Sequence, residues 1–135
     1  METATQPEDE ARVAGVRARL ADLVEADPSP AELALVARLL NSFAAKAPAA
    51  SDLLLRLMYQ GDAGLVREQA HSLKGSAANI GATRLAALYA GVEEQARAGI
   101  VTDPGTLTAH LELEVGGAVR AVLVLAGEYE RACSA

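Results

Sequence analysis

The sequence predicts an all-α fold: an antiparallel four-helix bundle with an additional N-terminal helix. Three observations lead there. Apolar residues recur at three-and-four spacing along successive stretches of the chain. No stretch alternates with period two, so no sheet is expected. The breaks between stretches carry helix caps and stops: Asp27-Pro28-Ser29-Pro30, Gly61-Asp62, Gly81, Gly99 and Asp103-Pro104. Composition agrees. Of 135 residues 51% are hydrophobic, yet one is Phe, three are Tyr and none is Trp, so the core must be built from Ala, Leu and Val.

The first helix is expected over residues 8–26, with Val13, Val16, Leu20, Leu23 and Val24 as its apolar stripe. It reads as a cap on the bundle; the alternative is pairing with a second copy, so a monomer is expected with a dimer through this helix as the rival. Residues 1–7 are expected to be disordered, and a single domain to span 8–131. Ser29 fits an N-cap, with Pro30 at the first helical position and Glu32 completing a capping box. Leu33, Val36, Leu40 and Phe43 then face inward, and Leu53, Leu54, Leu57 and Met58 resume the stripe beyond Pro48, which should kink or split the helix. Gly61 ends it and Asp62 caps the next. A third helix over 62–79 stops at Gly81. A fourth, over 83–98, turns Leu85, Leu88, Tyr89 and Val92 inward. The last starts at Asp103-Pro104 and carries Leu107, Leu111, Val115, Ala118, Val122, Leu125 and Tyr129, interrupted by Gly116-Gly117, which either permit close packing or bend the helix.

Charge and cysteine content narrow the function. A net charge of −6 makes a poor nucleic-acid binder. The single Cys133 excludes an internal disulfide framework and fits a reducing compartment, so a cytoplasmic location is expected. The start has no apolar signal core, and no run of about 18 apolar residues appears. The start methionine and the complete helical plan favour a free-standing protein over a domain cut from a longer chain.

The chemistry concentrates in residues 70–81, AHSLKGSAANIG. At about 100° per residue, Val66, Ala70, Leu73, Ala77 and Ile80 gather on the side away from His71. Arg67, Glu68, Lys74, Gly75 and Ala78 flank His71 on the outward side. A neutral imidazole is a good nucleophile near neutral pH. Lys74 at i+3 and Arg67 at i−4 offer cations to phosphate oxygens, although Arg67 also fits an ordinary solvated face. Gly75, unfavourable inside a helix by about 1 kcal/mol against alanine, suits the close approach of a partner's backbone. No carboxylate pair here could hold magnesium. The chain thus offers an acceptor, and the machinery that activates a phosphate donor must come from a partner.

His71-Ser72-Leu73-Lys74-Gly75-Ser76-Ala77, with Gly81-Ala82 and Leu85 after it, resembles the signature of the histidine-containing phosphotransfer (HPt) domain. The resemblance extends upstream to Gly61-Asp62, Pro48 and Phe43 and downstream to Leu88 and Val92-Glu93. It covers roughly residues 30–100 well, and the last helix only by pattern. It implies a phosphocarrier of a multistep two-component relay. His71 would accept a phosphoryl group from a receiver-domain phosphoaspartate, Lys74 would stabilise the phosphate, and Arg67, Gly75 and Ala78 would meet the partner. Response-regulator receivers and a hybrid histidine kinase are the implied partners. No cofactor of the chain's own is implied, and magnesium would come with the receiver. Residues 30–60 are expected to form one long bent helix, as in the family. Glu93 stands where the family often has a polar residue near the histidine. It could orient the ring or bond Lys74, but its charge opposes phosphate, so it is given little weight. Two rival classes are a non-phosphorylated adaptor, which the intact His71-Lys74-Gly75 set opposes, and an enzyme using His71 as general acid or base, which needs a pocket that a flat helix face lacks. His110 pairs by spacing only with Glu114, too few ligands for a metal site.

Overall fold

A computed structural model describes residues 6–135. They form five helices: α1 (Gln6–Leu23), α2 (Pro30–Gln60), α3 (Ala63–Ile80), α4 (Thr83–Arg97) and α5 (Pro104–Ser134). None is long and apolar enough to cross a membrane. Helix α1 begins at Gln6, inside the stretch expected to be disordered; residues 1–5 of that stretch lie outside the described residues. It also stops at Leu23 rather than Ala26, because six residues are used to turn the chain toward the cap of α2. Helix α5 runs to Ser134, three residues beyond the expected end, and does not fray before Cys133, whose Sγ lies 3.5 Å from the Pro30 carbonyl oxygen.

The caps account for the segmentation. Ser29 Oγ accepts from the Glu32 backbone N–H at 3.1 Å, and Asp62 Oδ1 from Leu65 N–H at 3.2 Å. Gly61 and Gly81 end α2 and α3 in the left-handed region, at φ of 81° and 86°. Helix α2 runs unbroken through Pro48, whose ring is on the exposed side.

Helices α2 and α5 have 31 residues each, about 46 Å of axis, and pack antiparallel as the backbone of the bundle. The α3–α4 hairpin is shorter, with helices of 18 and 15 residues, and covers only part of that pair. One core lies beneath it, where Leu54, Met58, Val66, Tyr89, Leu111 and Val115 meet. Helix α1 covers the other part and builds a second core from Val16, Leu20, Leu40, Val122 and Leu125. Phe43, Ile80 and Val119 pack against both. The cap reading of α1 therefore describes its packing, although Leu23 remains exposed. Leu53, expected inward, is also 38% exposed, since Leu54 and Met58 hold the core side of that turn.

A buried ion pair joins α1 to α5. Arg12 Nε and Nη2 each donate to a Glu114 carboxylate oxygen at 3.0 Å, and Arg12 Nη1 donates to Asp9 at 2.8 Å. This explains Gly117: Arg12 lies across it, and an added Cβ there would overlap the Arg12 guanidinium. At Gly116 the nearest neighbour of a Cβ would be Arg120 Nη1 at 3.5 Å, an ordinary contact. The pairing of His110 with Glu114 suggested by spacing is not formed; His110 is exposed while Glu114 turns inward to Arg12.

Gly117→Ala should therefore lower stability by about 1–3 kcal/mol through displacement of a pinned side chain. Gly116→Ala should be neutral or stabilise by up to about 1 kcal/mol. Urea denaturation of the two variants beside wild type measures both. Equal effects would show that Arg12 readily gives way.

Candidate functional site

The site is built on the outward face of α3 and the adjoining face of α4. Val66, Ala70 and Ala77 are fully buried and fix the rotation of α3, which leaves the His71 side chain 67% exposed. Gln69 ties α3 to α2 by donating to the Ala50 carbonyl at 3.2 Å. On α4, buried Tyr89 shares a hydrogen bond with Ser51 of α2; burial pushes its phenol above the ordinary value, against the opposing effect of that bond. One turn beyond Tyr89, the same face of α4 presents Glu93.

Glu93 is the residue that sequence reasoning undervalued. Its side chain is only 3% exposed and lies between the helices. Oε1 is 2.6 Å from Lys74 Nζ. Oε2 is 2.8 Å from His71 Nδ1 and also accepts from Arg97 Nη2 at 2.8 Å. The hydrogen bond from Lys74, and then that from His71, outweigh burial and hold the Glu93 carboxyl well below the ordinary glutamate range, at about 2. It is thus a carboxylate at neutral pH. The two actions considered for it, orienting the ring and bonding Lys74, occur together. The expected conflict with phosphate loses its force because Glu93 meets the Nδ1 edge of the ring. With Nδ1–H donated to Glu93, a neutral imidazole carries its lone pair on Nε2, away from Glu93. A sequence signal for the cluster existed in the Glu93–Arg97 spacing of i,i+4, but the approach of α4 to α3 was not readable from it.

The other expected residues divide. His71 and Lys74 are brought together through Glu93. Arg67, Gly75 and Ala78 are exposed on the same helix. So are Ser72 and Ser76 of the motif. A Cβ at Gly75 would meet nothing within 4 Å, so the chain's own packing does not require glycine there. The same is true of Gly91 on α4, and openness at Gly75 gains meaning only from its place one turn beyond His71.

The family model described as the Hpt domain matches residues 38–121. The chain belongs to the Hpt domain family. These are the histidine phosphotransfer domains of phosphorelays, phosphocarriers that interact with receiver domains and histidine kinases. The match spans α3 and α4 and reaches the middle of α5, farther than the resemblance read from the sequence, while α1 lies outside it. No curated protein and no solved structure gives a significant match.

The lowered value at Glu93 has a sign. A carboxyl held below its ordinary value contributes stability that is present above about 4.5 and is lost as pH falls toward about 2. Glu93→Gln should therefore lower the urea midpoint at neutral pH, and its deficit against wild type should narrow through that acid window. A deficit unchanged from neutral pH to about pH 3 would show that the carboxylate charge is not what stabilises the hairpin. Separately, Gly75→Ala should raise stability by up to about 1 kcal/mol, read as a higher urea midpoint.

Proposed function

We propose that this chain carries phosphoryl groups in a multistep relay, accepting them on His71 Nε2 from a receiver-domain phosphoaspartate and passing them to another receiver. The observation that carries the reading is the bond between His71 Nδ1 and the buried Glu93 carboxylate on an otherwise exposed ring. In this reading the Nε2 lone pair attacks phosphorus in line, the phosphorus–oxygen bond to the aspartate breaks, and the aspartate leaves as a carboxylate. The ring becomes a phosphorylated imidazolium whose Nδ1–H still donates to Glu93, so the buried negative charge faces the new positive one. Lys74 acts mainly through Glu93: its ammonium fixes Oε1 and leaves Oε2 to the ring. The attacking nitrogen is thus positioned before the partner arrives. Among the described residues no three His, Cys, Asp or Glu side chains cluster as metal ligands, and the magnesium of the reaction is assigned to the receiver. Gly75 and Ala78 leave a low surface beyond His71 for the partner's backbone, with Arg67 at the near edge.

Kinase-charged receivers mixed with wild type should give an acid-labile label that His71→Gln lacks at unchanged helix content. Glu93→Gln should slow acceptance by about tenfold or more, as expected when a group that orients the reacting ring is lost. Lys74→Ala should slow it less. Label retained in His71→Gln would sink the assignment. Tight receiver binding with no label on wild type would make the chain an adaptor. Gly75→Gln should weaken receiver binding while the fold persists; unchanged affinity would show that close approach at that position is not needed.

A further inference from the structure

We propose that this chain pairs with a second copy of itself through α2, the two α2 helices lying antiparallel across a two-fold axis at Leu39. The pairing is independent of the phosphocarrier reading and adds an interaction surface to it. A hollow of about 740 Å³ runs along α2, bordered by the end of α1 and by an edge of α3 that carries Leu73, Ser76 and Asn79. Leu23, Leu35 and Leu39 stand at it, each about half exposed. Large apolar side chains grouped in this way mark a contact surface. Helix α1 is not free to be the seam, because Val13, Val16 and Leu20 are spent on the second core. Only its C-terminal end borders the hollow, at Leu23 and Val24.

The residues along that edge of α2 indicate what covers it. Glu32, Leu35, Leu39, Ser42 and Lys46 recur at three-and-four spacing, and all five line the hollow. This is the repeat of a helix-pairing seam. It is also a palindrome in charge. Glu32 and Lys46 each lie seven residues from Leu39, about 10 Å along the axis in opposite directions. Two such helices laid antiparallel, Leu39 against Leu39, bring Glu32 of each copy to Lys46 of the other. Leu35 then meets Ser42 and the partly buried Phe43 of the second copy. A parallel pair would set Glu32 against Glu32 and Lys46 against Lys46, so charge selects the antiparallel one. Neither residue has an ion-pair partner among the described residues, and both charges are available to a second chain.

The seam leaves the histidine outside it. From α3 the hollow takes Leu73, Ser76, Asn79 and Ile80, whereas His71, Lys74, Gly75 and Ala78 are not part of it. Arg19 braces the wall opposite α2 by donating to the Asn79 carbonyl at 3.2 Å. A ridge formed by Leu35 and Leu39 of one copy can thus lie in the groove of the other. Exposed ion pairs contribute little affinity, so the leucines supply the binding and the charges supply the register. The net charge of −6 on each copy opposes association at a distance. Screening over about 8 Å at physiological salt weakens that repulsion more than it weakens pairs in contact.

Sedimentation equilibrium of the full chain at physiological salt, over a wide range of concentrations, tests the pairing. Wild type should show a reversible monomer–dimer equilibrium. Leu39 is exposed in the single chain, so Leu39→Asp should keep its helix content. It should weaken the dimer by about a hundredfold or more, since two carboxylates then meet on the axis. Glu32→Lys and Lys46→Glu should each weaken it about tenfold, because each sets two like-charge pairs across the seam. The double variant, Glu32→Lys with Lys46→Glu, restores both pairs at unchanged net charge and should recover the wild-type equilibrium. Wild type that stays monomeric into the millimolar range would overturn the proposal; loss of receiver binding in Leu39→Asp would then give the hollow to the receiver instead. A dimer indifferent to Leu39→Asp would overturn it by placing the contact elsewhere. A double variant no tighter than the single ones would overturn the antiparallel register. None of these outcomes bears on phosphoryl acceptance by His71.

Discussion

A carboxylate removed from water must have its charge answered, and at Glu93 the answer comes from two helices at once. Lys74 and His71 reach it from α3 and Arg97 from α4, so the charge sets the spacing of the hairpin as well as the orientation of the ring. The requirement works in both directions. Glu93 selects the nitrogen His71 presents to solvent, and the donors around Glu93 keep it ionised in a place that would otherwise favour the neutral acid. Ser51 and Tyr89 one turn away hold α4 against α2, and through α4 they hold the carboxylate level with the histidine.

The rest of the fold divides labour along the α2–α5 pair. One stretch carries the hairpin and its chemistry; the other carries α1, the second core and the Arg12–Glu114 pair. The family match begins after the first turns of α2 and ends inside α5, so it takes in the hairpin and its core and leaves α1 outside. The face that carries His71 therefore lies within the matched part of the chain, while α1, outside the match, closes the far part of the long helix pair.

Much of this was readable in the sequence because helices obey local rules. The outward turn of His71 followed from five apolar positions, and the starts of α2, α3 and α5 followed from Ser29, Asp62 and Asp103. What could not be read depended on residues far apart in the chain. By sequence alone the charge of Glu93 opposes a phosphate on the histidine; the approach of α4 brings it instead to the Nδ1 edge of the ring. Glu114 was paired by spacing with His110, but Arg12, 102 residues away, outcompetes an exposed neighbour by offering two buried bonds. Gly117 was ambiguous for the same reason: the side chain that needs its space belongs to another helix.

The seat of α1 is set by backbone as well as by side chains. At its middle, Gly15 lies so near the α3–α4 turn that a Cβ on Gly81 would come within 2.6 Å of the Gly15 carbonyl oxygen. A joint of this kind has no rotamers. It can neither slide nor repack by small steps, as a joint of leucines can. Helix α1 therefore has one seated position against the turn, and any movement of it must begin with separation of the two backbones. The hairpin that carries the histidine is thus indexed, from its closed end, to a helix that contributes no side chain to the Glu93 cluster.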